Sequence, residues 1–446
     1  MKRFAPALAL MVLSAPSFAQ TLEERIESLE LARDLNWIKW GGSLETRYDY
    51  IDQERNKSAA GFTPVVEGGN NNQFYRVWAN LNMEAKPNDR MTFFGRLSMA
   101  KYMNVFGTQG SPTSALSSFS EGNTATNTST LYLERAFMNY NITDSLIFTM
   151  GRLPTIDGPN KHIAMNQQLM GNYPTLAYSA ILDGFAFTKS FALPDSAVLR
   201  AKAIYTPSQQ INFNNTNTRA VDAAGEKVSA VEDGFYSGIL EFEKSNGSFY
   251  KHNLSMFQYV RADRRLMGEN NTATGGSTFS SSVNRFTFYT EFQGVAQSGF
   301  DIALQGMYSH LRSKGDLFAN VPGAQGWMTD KSDDTQYGHA TVVTVKYNLP
   351  LPALKNPKIG VEWFNSTKTA FVYDLANVNP INMYQSPDSD VYHLFWNQPF
   401  GDGLSMTVGY MYRDQKTTYP IGGLLGGEQK VDNIDQNIYA SLLATF

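Results

Sequence analysis

The chain contains no cysteine, which excludes a disulfide scaffold and a thiolate metal site. Charge is sparse as well. Asp, Glu, Lys and Arg make up 17% of 446 residues, against about 25% in soluble domains. The formal net charge is only −4, so there is no basic field to recruit nucleic acid. Histidine is scarce: His162, His252, His310, His339 and His393 are the whole set. None of them sits in a nucleophile motif of the kind that marks a hydrolase, so no enzyme is expected. After residue 19 no apolar run is long enough for a spanning helix. If the mature chain crosses a membrane, it must do so as a closed barrel.

What is present is aromatic and patterned. Tyr, Phe and Trp form 13% of the chain, yet the mean hydropathy is negative. That combination suits a sheet with one apolar and one polar face. Residues 1–19 have the form of a bacterial secretory signal: Lys2 and Arg3, an apolar run, and the small-residue site Ser17-Phe18-Ala19. Residues 20–38 follow as a short helix. Leu22, Ile26 and Leu29 fall on a heptad seam, and Thr21 is placed to cap it. About two heptads do not hold alone in water, so the helix needs a partner: other copies of itself, or its own barrel.

From Trp40 the period changes to two. Leu44, Thr46 and Tyr48 alternate with Glu45, Arg47 and Asp49. Val77, Ala79 and Leu81 alternate with Arg76, Asn80 and Asn82, and Val408, Tyr410 and Tyr412 with Thr407 and Arg413. Sixteen such strands are expected between residues 39 and 446. Short turns, such as "PNDR" and "FGDG", alternate with long links rich in Asn, Gly, Ser and Thr, such as Gly107 to Thr130. A β-sandwich also alternates along its strands, but it does not need every second link to be long. The expected fold is therefore all-β: a 16-stranded antiparallel transmembrane β-barrel over residues 39–446, with a short N-terminal periplasmic α-helix and long loops outside.

Three stretches carry resemblances. "QNIYASLLATF", ending at Phe446, resembles the terminal signature read by the barrel-insertion machinery of Gram-negative bacteria. "RIESLE", with Arg25, Ile26, Leu29 and Glu30, resembles a motif of trimeric parallel coiled coils. "FTMGRLPTIDGPN" resembles the strand that leads into the constriction loop of 16-stranded general porins, and the wording of "GRLPTIDGPN" is similar to a porin-like group of unassigned function. The resemblance implies an outer-membrane homotrimer in contact with lipid and lipopolysaccharide, and a loop at 154–180 that narrows the pore. Contact of the helix with peptidoglycan is a further expectation. The acidic loop motif of general porins is missing, and Asp157 is left to take its part.

The loop carries Ile156, Ile163, Leu169 and Leu176, side chains that a loop bathed in water does not need. By alternation, Arg47, Arg76, Arg96 and Arg135 face inward; Arg152, Asp157, Lys161 and His162 stand at the loop. Either the arginines form a basic wall opposite Asp157, or they pair with Glu45, Asp49 and Glu84. Glu241, Glu243, Glu291 and Glu362 also face inward. Strict alternation puts Glu134 on the outward face with Ala136, and Lys189 with Phe185 and Phe187. Both positions are costly in lipid unless they lie at a rim or the register slips. The function expected is passive diffusion of small hydrophilic solutes with weak ion selectivity and no cofactor or metal. The alternatives are a substrate-selective channel, with Trp78 and Phe94 guiding the solute, or a receptor or adhesin acting through the long loops.

Overall fold

The computed structural model describes residues 37–55, 70–103, 130–165, 169, 171–177, 179, 181–207, 234–267, 278–314, 334–370, 372, 379, 384, 387–418 and 429–446. The segment expected as a signal, the segment expected as a helix with Arg25, Ile26, Leu29 and Glu30, and residues 107–129 of the link from Gly107 lie outside the described residues.

Sixteen strands form the structure: β1 (Ile38–Arg55), β2 (Asn70–Asn88), β3 (Met91–Met103), β4 (Thr130–Thr143), β5 (Leu146–Arg152), β6 (Asp183–Ala192), β7 (Ala197–Pro207) and β8 (Gly234–Ser245) make the first half. The second half is β9 (His252–Met267), β10 (Thr278–Gln293), β11 (Phe300–Lys314), β12 (Asp334–Asn348), β13 (Lys358–Ser366), β14 (Ser389–Gly401), β15 (Leu404–Thr418) and β16 (Gln429–Thr445). A five-residue helix, α1 (Lys161–Met165), lies between β5 and β6. Each strand pairs antiparallel with its sequence neighbours, and β16 pairs with β1, so the sheet is a closed barrel. The pairing runs from Ser43 opposite Thr445 to Arg55 opposite Asn433. Phe446 extends it: its amide donates to the Gly42 carbonyl at 3.1 Å and its carbonyl accepts from the Gly42 amide at 2.9 Å. A Cβ on Gly42 would stand 2.5 Å from the Asn80 carbonyl oxygen and 2.6 Å from the Phe446 ring, so only glycine admits this closure.

The period-two pattern sorts side chains between two surfaces. Outside, large apolar side chains such as Leu240, Phe257, Val361 and Ile438 are exposed around the barrel. Inside, Glu45, Arg47, Asp49 and Arg76 are buried. Strict alternation fails at Glu134. Arg96 lies opposite Arg135 while Leu97 lies opposite Leu133, so Glu134 is the extra residue of a β-bulge. A bulge lets two successive side chains leave by the same face, and Glu134 and Arg135 both turn inward and are buried. The outward placement of Glu134 expected from alternation is thereby corrected. Lys189 does share the outward face, but it lies opposite Leu146, beside a short turn. There its ammonium reaches Ser145 Oγ at 2.6 Å, the behaviour of a long cationic side chain at a rim.

The end of the barrel interior that carries the long links is packed like a core. Ile51, Met307, Val342, Phe364, Val391 and Met411 converge there from six strands. Leu176, from the link after β5, and Ala370, Val372 and Tyr384, from the link after β13, complete the cluster. Phe364 is fully buried and meets the Tyr384 ring edge-on at 5.9 Å. Replacing it opens a cavity between strands and inserted chain. Phe364→Ala is expected to destabilise the barrel by about 3–5 kcal/mol, read as a lower urea midpoint for unfolding from detergent or lipid. An unchanged midpoint would show that the cluster contributes no packing energy.

Candidate functional site: the lumen and two inserted segments

The described residues of the link between β5 and β6 lie inside the barrel. Its ends meet where the Leu153 amide donates to the Leu182 carbonyl at 2.8 Å. Its two arms run together: the Gly171 amide donates to the Asp157 carbonyl at 2.9 Å, and the Asn172 amide to the Pro154 carbonyl at 3.1 Å. The approach is close enough that a Cβ on Gly158 would sit 1.7 Å from the Tyr173 carbonyl oxygen. Asp157 and Asn160 take positive φ, 56° and 87°, in residue types that tolerate the left-handed region. Apolar side chains anchor the segment across the lumen. Leu153, Tyr173 and Ala177 pack on Ala186, Ile204, Ile239 and Val260 of β6–β9. Ile163 packs on Leu254, Met256, Tyr289 and Ala303 of β9–β11.

Polar anchors fix its register. Asn160 is fully buried. Its amide nitrogen donates to Glu362 Oε2 at 2.8 Å and to Tyr384 Oη at 3.0 Å, and its oxygen accepts from Thr344 Oγ1 at 2.9 Å. His162 Nε2 meets Glu291 Oε2 at 2.9 Å. Lys161 lies 5.9 Å from the Tyr384 ring centroid. The Arg285 guanidinium donates to the Ala177 carbonyl.

A second segment enters after β13, one that the sequence reading leaves among the ordinary long links. Tyr384 Oη donates to Glu362 Oε1 at 2.8 Å. Asn379 Oδ1 accepts from Arg47 Nη1 at 3.2 Å and from Arg76 Nη1 at 3.0 Å. The same test that singled out the first link, buried-type side chains in a long connection, applies to Ala370, Val372 and Tyr384 here.

The structure brings Arg47, Arg76, Arg96 and Arg135 together on adjoining strands, facing inward and buried. Each already has a carboxylate. Arg47 pairs with Asp49 at 2.6 Å and Arg76 with Glu45 at 3.1 Å. Arg96 reaches Glu134 at 2.9 Å and Asp157 at 3.3 Å; Arg135 reaches the same two at 3.1 and 3.4 Å. Glu84 pairs instead with Lys86, at 3.1 Å. The four arginines are thus locally neutralised, with Asp157 serving two of them. Arg152 is not in the lumen. It lies opposite outward-facing Ala136 and is bonded to Asp183 at 2.9 Å on the outer surface, because β5 turns its neighbour Gly151 inward.

Buried inward residues recur at mid-height: Asp49, Arg76, Ser98, Gln258, Thr287, Gln305 and Asn437 have no exposure. Toward the short turns, Thr149, Thr188, Arg200, Lys202 and Glu243 keep partial exposure. The lumen is therefore a vestibule at the short-turn end, below a level that the chain itself fills. Among the described residues no His, Asp or Glu group is arranged to hold a metal ion.

The closed 16-stranded antiparallel barrel has counterparts among solved structures of outer-membrane proteins. The solved structure of OprB from Pseudomonas putida is similar at 11% identity and a TM-score of 0.50, with 94% of this chain and 96% of that one covered. An anion-selective porin from Comamonas acidovorans is 10% identical at a TM-score of 0.48, with 92% and 99% covered. The outer-membrane channel DcaP of Acinetobacter baumannii is 10% identical at 0.45, with 92% and 97% covered. At such identities the likeness concerns the fold alone. Residues 69–439 match the model of the family described as "Protein of unknown function (DUF3373)", and the chain belongs to that family. Comparison with curated proteins finds no match.

Glu134 links β3 and β4 and holds the two arginines that reach Asp157 of the inserted segment. It accepts from Arg96 at 2.9 Å, from Ser98 Oγ at 2.6 Å and from Arg135 at 3.1 Å. Removing one member of a buried ionic group leaves its partners uncompensated. Glu134→Gln is expected to cost about 3–5 kcal/mol, seen as a lower unfolding midpoint. A smaller loss in Glu134→Gln/Arg135→Met than in Glu134→Gln would identify the uncompensated guanidinium as the cause.

Proposed function

We propose that this chain is an outer-membrane channel for passive diffusion of small hydrophilic solutes and ions, with weak ion preference. One observation carries the reading: a barrel closed on itself presents an apolar outer surface and a polar, partly solvated interior. An exposed apolar belt of that extent suits hydrocarbon rather than water. Sixteen strands enclose room for an aqueous path, and the two inserted segments reduce it. In this reading Arg47, Arg76, Arg96, Arg135, Asp157, Lys161 and His162 line the narrow level, and the segment at 154–180 is the constriction. The pairing of the four arginines with carboxylates supports weak rather than strong ion selectivity, since paired charges project little field into a pore. The filled mid-height level also favours the second reading, a solute-selective channel, over a wide and indifferent one.

The test is single-channel recording from purified protein in planar bilayers. Ohmic steps are expected, with reversal potentials near zero in a salt gradient. Asn160→Ala, which frees the inserted segment from Glu362 and Thr344, is expected to raise the conductance. Silence from both proteins would overturn the channel reading.

We further propose a homotrimer held by residues 20–38 through Arg25, Ile26, Leu29 and Glu30, with the same helix contacting peptidoglycan. Phe446 would present the chain to the insertion machinery. Deleting residues 20–36, which leaves β1 from Ile38 intact, is expected to reduce the mass of the detergent-solubilised species to about one third by light scattering, since about two heptads are stable only in association. A monomer in the full-length chain would refute the trimer.

A further inference from the structure

We propose that the outward face of β9–β12, at its long-link end, docks a lipid whose headgroup carries a phosphate. Strand register lays rows of side chains across this sector. Arg261 lies opposite Asn284, Asn284 opposite His310, and His310 opposite Tyr337. The row beneath is Tyr259, Phe286, Tyr308 and His339. Arg312, between Ser282 and Thr335, stands one row nearer the long links. These side chains point outward because those that alternate with them, such as Val260, Arg285, Ser309 and Ala340, are buried in the interior.

Arg261 and Arg312 are exposed, and Arg312 enters no ion pair among the described residues. Their strands stand two apart, about 10 Å, so the two guanidiniums can close on one phosphate between them. A planar fork of donors suits that group better than a point charge does. Asn284 lies on the strand between the two arginines. Its Oδ1 accepts from Tyr259 Oη at 2.8 Å, which leaves the amide nitrogen to donate. The His310 ring stacks on Tyr337, 15° from parallel with centroids 5.0 Å apart. Below these rows, exposed Phe257, Phe288 and Leu304 continue the face as an apolar wall. The sector therefore matches an anionic head joined to an apolar tail, with tyrosines at the boundary between the two.

Charge elsewhere on the same rim singles this sector out. Farther round the barrel, the outward positions at the long-link end of β14, β15, β16 and β1 include Asp390, Asp414, Asp432, Asp52 and Glu54, against Lys416 and Lys430. Lys416 is held there by Asp414 at 2.7 Å and Asp432 at 3.1 Å. In the β9–β12 rows one acidic position enters, Asp263 opposite Ser282. An anionic headgroup is thus repelled from one side of the barrel and drawn to the other, with each surface arginine contributing about 1 kcal/mol of attraction. Charge complementarity above and apolar surface below select a lipid as the occupant.

The proposal rests on the reading of the chain as a membrane barrel and is independent of conduction. The experiment is native mass spectrometry of the full-length barrel from an uncharged detergent, after incubation with an equimolar mixture of dioleoyl phosphatidic acid and dioleoyl phosphatidylcholine. Phosphatidic acid is expected to be retained over phosphatidylcholine by about tenfold or more. Arg312→Gln is expected to weaken its retention about tenfold with the unfolding midpoint unchanged. Lys416→Gln, in the acidic sector, is expected to leave retention as it was. Equal retention of the two lipids, retention unaltered by Arg312→Gln, or an equal loss from Lys416→Gln would each overturn the site. Displacement of the lipid by equimolar inorganic phosphate would do so too, since it would show a site for the free anion rather than a lipid surface. Because the comparison between the two lipids uses the unaltered protein, the conclusion does not depend on how a variant folds. Bilayer recording separates the two claims. Selective retention without conductance keeps the docking surface and removes the channel; conductance without selective retention does the reverse.

Discussion

The backbone pairing of β1 with β16 is the constraint on which everything else depends. With Ser43 opposite Thr445 and Gly42 bonded both ways to Phe446, the sheet has no open edge left to pair elsewhere. Closure gives the alternating side chains an unambiguous inside and outside. It also imposes a second problem. Sixteen strands enclose more volume than their own inward side chains fill, and the chain must either leave that space to water or supply something to occupy it.

This chain does both, at different heights. At the long-link end, Val342, Phe364, Val391 and Met411 face inward as a soluble core would, and they are covered by Leu176, Val372 and Tyr384 from the two inserted segments. Apolar burial drives that half. Toward the short turns the inward positions are Thr149, Thr188, Arg200, Lys202 and Glu243, which remain partly wet. Between the two lies a layer of paired charges. Arg47 with Asp49, Arg76 with Glu45, and Arg96 and Arg135 with Glu134 and Asp157 satisfy one another where water is scarce. Buried charge is tolerated only with such partners. Asn160 joins the layers, since it bonds Thr344 and Glu362 on the wall and Tyr384 on the second segment.

Much of the fold was legible in the chain because its signals are local. Alternation between residues i and i+2 marks each strand and its two faces wherever pairing is regular. Apolar side chains in a long link, Ile156, Ile163, Leu169 and Leu176, marked the segment after β5 as one that turns inward. The segment after β13 carries a similar signal in Ala370 and Val372, diluted by the polar residues around it.

Amino-acid order alone settled the strand period, the strand succession and the sorting of apolar from polar faces, because each depends on neighbours a few residues apart. Tertiary structure decided the rest. The bulge that turns Glu134 inward exists only in the register of β4 against β3. The outward position of Arg152 is set by its pairing across to Ala136 and Asp183. Which carboxylate neutralises which arginine, and whether inserted chain or water fills a given level, depends on contacts such as Asn160 to Glu362, 202 residues apart. No periodicity encodes a contact at that separation; it is fixed when the barrel closes and brings distant strands to face one another across the lumen.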